Sequence, residues 1–166
     1  MRLLLTMSAL AMATQPLAAH PGERHAPAAQ PKTAPLSDQA AVRAVLSQYK
    51  SAIERLDASG TERLFTADSA VFETGGVEGN FANYLAHHLG PELKAFKSFT
   101  FSDYEVDVRL EGPIALATES YKYRIETKKG EIVERLGVAT SVLKKESGLW
   151  KILSMHNSGR RPRPAS

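Results

Sequence analysis

The sequence predicts an α+β fold, with three helices packed on one face of a curved antiparallel sheet. Two observations carry this. Apolar residues recur at helical spacing from residue 37 onwards, and from about residue 98 the period shortens to two and stays there through four runs separated by short glycine turns. Helix, helix, short hairpin, helix and then a meander of strands is an α+β order, because each element hides one apolar face and the helices must share theirs with the sheet.

The first helix is written in "SDQAAVRAVLSQYKSAIERLDASG". Val42, Val45, Leu46, Tyr49, Ile53 and Leu56 fall on one face, Ser37 offers an N-cap oxygen, and Gly60 is the expected stop. "TERLFTAD" reads as a short second helix. In "SAVFETGGVEG" β-branched and aromatic residues flank Gly75 and Gly76, which predicts a strand turning in a hairpin. Asn80 then caps "FANYLAHHL", with Gly90 and Pro91 expected to close that helix and "ELKAF" to add a further turn. The four alternating runs are "SFTFSDYEVDVRLEG", "IALATESYKYRIETKKG", "EIVERLGVATSVLKKESG" and "LWKILSMHNS".

The two ends differ from this body. "MRLLLTMSALAMATQPLAAHPGE" opens with one arginine, continues as an apolar run without acids and reaches small residues at Ala18 and Ala19, the layout of a secretory signal peptide over residues 1–19. The apolar run is shorter than the roughly 20 residues that span a bilayer, so no transmembrane segment is expected after cleavage and the destination is periplasmic or secreted. Residues 20–36 form a Pro/Ala-rich spacer without an apolar period, 37–160 one domain, and 161–166 a basic tail. Cysteine is absent, so an exported domain would stand on its core without disulfides.

The whole chain carries a formal charge of +3, but residues 37–158 hold 15 Lys plus Arg against 17 Asp plus Glu, a net of −2. The excess lies in the spacer and the tail. A body without a basic stripe is not built to neutralise phosphates, so no nucleic-acid partner is expected.

The element order, "VFETGGVEG" followed by "YLAHHL", and the ending "GLWKILSMHNSGR" resemble the SnoaL-like branch of the ketosteroid-isomerase and nuclear-transport-factor-2-like superfamily across residues 37–160. The resemblance implies a cone-shaped roll with a cavity between helices and sheet, a scaffold that serves isomerases, cyclases, dehydratases, binding proteins and oligomerisation modules. In the last strand Trp150, Ile152, His156, Ser158 and Arg160 match the pattern of relatives, while Ser154 stands where a first histidine would be. The isomerase's catalytic aspartate and paired donors have no residue-by-residue match here, so its mechanism is not carried over.

At 100° per residue His88 lies on the face of Phe81, Tyr84, Leu85 and Leu89, and His87 lies with Asn83 on the other side. His88 is then either a core histidine satisfied by one partner or a site residue converging with His156. Strict alternation puts Trp150, Ile152, Ser154, His156 and Ser158 on one side of the last strand. Two imidazoles and a carboxylate such as Glu73, Glu78 or Glu119 can shuttle a proton or bind a metal. No two histidines share a chelating spacing, so no metal or other cofactor is expected; His88, His156 and Glu73 are the set that would hold a metal. Glu119 shares its side of a strand with Tyr121 and Tyr123, and a three-residue "KKG" loop would place Arg135 opposite Tyr123.

The leading expectation is an exported domain that binds a small molecule through Tyr49, Tyr84, His88, Glu119 and His156. One alternative is an acid–base enzyme of isomerase, cyclase or dehydratase type using the same pocket, with His88, His156 and Glu119 as catalytic candidates. The other is an oligomerisation or interaction module. A homodimer is expected, because Leu116, Leu136, Val138 and Val142 fall on the sheet face opposite Tyr121, Tyr123, Val133 and Leu143, and only one of these faces can pack on the helices.

Overall fold

A computed structural model describes residues 37–163. The expected signal peptide at 1–19, the spacer at 20–36 and the end of the basic tail at 164–166 lie outside the described residues. Helix α1 (Asp38–Glu54) begins where Ser37 Oγ accepts the Ala40 N–H at 3.3 Å, and it buries Val42, Val45, Leu46, Ala52 and Ile53. It stops before Gly60. Leu56 takes the left-handed conformation (φ 56°), a position that costs a β-carbon-bearing residue about 1–2 kcal/mol, while its side chain packs against the core.

The order of elements then departs from expectation. "TERL" is a single 3₁₀ turn (Thr61–Leu64), and "FTAD" already belongs to strand β1 (Phe65–Glu73), where Phe65, Thr66 and Ser69 are buried. A two-residue turn with positive φ at Thr74 and Gly75 leads to strand β2 (Gly76–Gly79). The next helix begins on the Asn80 cap, whose Oδ1 accepts the Asn83 N–H at 2.9 Å. It continues without a break through Phe81–Tyr84, a wide π turn at Leu85–Leu89 and Gly90–Ala95. The π turn explains why Gly90 and Pro91 do not end it. The Gly90 N–H reaches Leu85 O, a β-carbon at Gly90 would lie 2.6 Å from that oxygen, and Pro91 falls in the first turn of the α-helical segment that follows, where its missing N–H is tolerated.

The remaining strands are β3 (Phe96–Glu111), β4 (Ile114–Thr127), β5 (Ile132–Glu146) and β6 (Leu149–Arg160). They form one six-stranded sheet in the order β2-β1-β6-β5-β4-β3, with β1 and β6 parallel and the other neighbours antiparallel. The predicted cone-shaped roll of three helices on a curved antiparallel sheet is therefore corrected. The described residues form two helices on an open, mixed sheet whose edges are β2 and β3.

The inner face reads as rows that cross the strands. Leu110, Ala115, Leu143, Ile152 and Phe65 form one row, and Val108, Ala117, Ser141, Met155 and Val71 the next. Helix α1 lies on this half and is tied to the sheet by Asp38, whose Oδ1 accepts Lys145 Nζ at 2.6 Å and Trp150 Nε1 at 3.0 Å. Gln39 also reaches the Val108 carbonyl at 3.2 Å. Among the described residues no helix is long and apolar enough to cross a membrane.

Candidate functional site

The third row changes character. It runs Val106, Glu119, Ala139, Asn157, Glu73, with a carboxylate near each end and small or polar residues between. Three strand spacings of roughly 4.8 Å separate the two backbones, about 14 Å in all. The fourth row is Tyr121, Gly137, Gly159. Above these rows the second helix and the end of α1 leave a cavity of about 270 Å³. Phe96, Phe99, Phe101, Tyr121 and Tyr123 wall one side, and Tyr49, Tyr84, Glu73 and Glu92 the other.

Glu73 ends β1 just before the Thr74–Gly75 turn, which aims it at the helix. Its Oε2 accepts the Tyr84 hydroxyl at 2.6 Å and lies 4.0 Å from His88 Nε2. His88 bridges three acids: Nδ1 is 3.2 Å from Glu78 Oε2, and Nε2 is 3.5 Å from Glu92 Oε1. Burial pulls the His88 pKa down, but Glu92, the hydrogen bond to Glu78 and Glu73 together outweigh it and raise the imidazole above its usual range. Glu92 is pushed up by partial burial against the opposing pull of His88. The cluster at this mouth is thus an imidazole whose protonated form the acids around it favour.

Glu119 sits differently. It is 8 % exposed, and its Oε2 accepts the Tyr104 hydroxyl. Burial raises its pKa, and the Tyr104 bond only partly offsets this. It faces a 40 Å³ recess that shares Tyr49, Ile53, Phe101, Tyr121 and Asn157 with the main cavity. Lys50 closes the recess, with Nζ 2.7 Å from Glu54 and resting 5.1 Å and 5.3 Å from the ring centres of Phe101 and Tyr104. Burial likewise holds the Tyr49, Tyr84, Tyr104 and Tyr121 hydroxyls neutral, well above the usual phenol range.

Of the residues singled out in the sequence, Tyr49 and Tyr84 line the cavity, His88 stands behind Glu73 at its mouth, and Glu119 faces the adjoining recess. Arg135 pairs with Tyr123 in register and also lines the cavity. His87 is exposed. His156 is not brought to the others: it is exposed on the outer face, edge-on to Phe72 at 6.4 Å. The cause is one residue. Leu143 pairs with Ile152 but Val142 pairs with Ser154, so Leu153 is a bulge that reverses the alternation and turns Met155, Asn157 and Gly159 inward in place of His156 and Ser158. Glu73, His88 and His156 therefore form no common set, and among the described residues no cluster of three or more His, Cys, Asp or Glu is arranged to hold a metal ion. Tyr104, Asn157 and Glu92 enter the site without having been expected. Asn157 needs the bulge, and Tyr104 lies within an irregularity between Ser102 and Glu105 that hides its facing.

The SnoaL-like domain family matches this chain over residues 42–162. No curated protein matches it. Among solved structures, a candidate dehydratase of the NTF2-like family from Streptomyces avermitilis is similar with a TM-score of 0.65 at 20 % identity, covering 75 % of this chain and 98 % of that one. A candidate ketosteroid isomerase from Shewanella frigidimarina gives a TM-score of 0.59 at 24 % identity, with 71 % and 94 % covered. A type 2 hexachlorocyclohexane dehydrochlorinase gives 0.65 at 10 % identity, with 77 % and 88 % covered. At these identities the likeness is one of fold.

Proposed function

The chain belongs to the SnoaL-like domain family, and from that premise we propose that it is an acid–base enzyme of isomerase, cyclase or dehydratase type, acting on a small, largely apolar molecule in the cavity. The observation that carries this reading is the third row. Two carboxyl groups stand in one row in different surroundings, Glu73 hydrogen-bonded at the mouth of the cavity and Glu119 buried at the adjoining recess and inclined to keep its proton. Surroundings that separate two carboxyls suit one for accepting a proton and the other for donating one. Glu73 is the base. Tyr84 fixes its Oε2, and His88, whose protonated form the surrounding acids favour, stands behind it. Glu119, with the neutral hydroxyls of Tyr104 and Tyr121 beside it, stabilises negative charge that develops on a substrate oxygen at the deep end. The aromatic walls supply apolar contact and keep the transfer dry.

That dehydratase, isomerase and dehydrochlorinase descriptions recur among proteins of this fold supports the enzymatic reading over binding alone. The test is deuterium incorporation next to the carbonyl of β-tetralone in D₂O, followed by NMR. The wild type is expected to exceed the buffer rate, and Glu73→Gln to lose on the order of 100-fold of that excess. Equal rates for the two proteins would refute Glu73 as the base. Tetralone binding without any exchange would return the protein to a binding module.

Export belongs to the same proposal, resting on the sequence of residues 1–19, and the mature protein recovered from an expressing host should begin at His20. A homodimer through the outer sheet face is also proposed. Leu116 and Val138 are 40 % and 45 % exposed there, and a strict monomer in sedimentation at micromolar concentration would refute it.

A further inference from the structure

We propose that Gly137 and Gly159 set the size of the ligand this cavity admits, by leaving a bare strip of backbone across β5 and β6 on which the rings of Tyr121 and Tyr123 lie down. The two glycines pair with each other, and Gly137 pairs with Tyr121 on its other side. A β-carbon at Gly137 would come within 2.2 Å of Tyr121 Cε2, 2.7 Å of Cδ2 and 2.9 Å of Cζ, so the ring covers the place where a side chain would stand. A β-carbon at Gly159 would meet the Tyr123 hydroxyl at 2.5 Å. Neither glycine has the positive φ found at Gly60, Gly75, Gly79, Gly112, Gly130 and Gly148, so backbone conformation does not call for glycine at either position. What excludes larger residues is the space taken by the two tyrosines.

The consequence runs from sequence to cavity shape. Both rings belong to strand β4 but recline over β5 and towards β6, which lowers that wall and opens the hollow between it and Glu73. A methyl group at residue 137 would lift the Tyr121 ring into the volume a ligand fills. Such overpacking strains a filled site, and here bound ligand and raised ring compete for the same space. A small ring would still fit beside the raised tyrosine, whereas a larger one would not. The inference rests on the cavity being the ligand site and does not depend on Glu73 acting as a base.

The experiment compares the affinities of phenol and of the three-ring fluorophore N-phenylnaphthylamine for wild type, Gly137→Ala and the double variant Gly137→Ala/Tyr121→Ala. Circular dichroism checks the fold of each, and the Tyr121 ring resonances report whether the ring has moved. The expected result is that Gly137→Ala weakens the large probe about tenfold or more, leaves phenol within about twofold, shifts the Tyr121 ring, and is rescued by removing that ring. Should Gly137→Ala not fold, Gly159→Ala, whose one close contact is the Tyr123 hydroxyl, is expected to show the same size-selective loss more weakly. Equal losses for both probes in a folded variant, or none for either, would overturn the proposal. A wild type that binds neither probe would overturn it together with the cavity reading. Size selection without deuterium exchange into β-tetralone would leave it standing and remove only the catalytic role of Glu73.

Discussion

The two halves of the inner sheet face use the same strands for opposite ends. Under α1 the rows of Leu143 with Ile152 and of Val71 with Met155 are filled, with Leu143 and Ile152 fully buried. In the next two rows Ala139, Gly137 and Gly159 occupy the same face: the recess opens over Ala139, the Tyr121 ring lies over Gly137, and the cavity reaches Gly159. The half with small residues is the half where polar groups gather. A hollow survives only if nothing large stands in its floor, and the carboxyls around it are tolerated because each has a polar partner, Tyr84 for Glu73, Tyr104 for Glu119 and His88 for Glu92.

The sharpest way to break this comparison is truncation on each side. Leu143→Ala should cost about 2–5 kcal/mol in urea unfolding, because it empties a packed site. Phe99→Ala, on the cavity wall, should cost less than half of that, and equal losses would mean that the hollow is as tightly built as the core. Next comes Tyr84→Phe, which removes the hydroxyl that holds Glu73 and should cost about 1 kcal/mol while lowering deuterium exchange into β-tetralone.

Two pH effects follow. The raised pKa of Glu119 means that the folded chain keeps a proton the unfolded chain has lost, so stability falls as pH rises from the ordinary carboxyl range through the raised value. Glu119→Gln should abolish that slope and gain on the wild type at pH above it. For His88 the raised value belongs to the charged form. Its contribution is full below the ordinary imidazole pKa of about 6.5 and is lost as pH rises through the raised value, so His88→Ala should be most costly in mild acid. With the pair partly exposed, that cost should stay under about 1 kcal/mol. The smallest effect is expected at the exposed His87, where replacement by Ala should change stability by no more than about 0.5 kcal/mol.

What the sequence disclosed, and what it hid, divides along the same line. The face of α1, the Asn80 cap, the hairpin after β1 (expected to turn at Gly75 and Gly76, found turning at Thr74 and Gly75) and the pairing of Tyr123 with Arg135 are local or follow from turn length, and periodicity finds such features. The side of β4 that carries Glu119, Tyr121 and Tyr123 was legible for the same reason. Three things were not. "TERLFTAD" has a helical composition, but its second half pairs with β6, a contact over more than 80 residues that propensity cannot see. Gly90 and Pro91 read as a stop, yet a π turn absorbs them. The bulge at Leu153 exchanged His156 for Asn157, since a single extra residue reverses every facing after it. A site built from the far half of β6 therefore could not be assigned by alternation alone.

The central claim is that ligand chemistry belongs to the hollow half. The most direct measurement is an NMR titration with β-tetralone that follows the Ala139 methyl, the Asn157 side-chain amide and the rings of Tyr121 and Tyr123 against the methyls of Ala115, Leu143 and Ile152. The first set should shift saturably and the second remain still, and Glu73→Gln should leave those shifts in place while exchange is lost. Shifts confined to outer-face residues such as Leu116 and Val138, or no saturable shift at Ala139 and Asn157, would contradict the account.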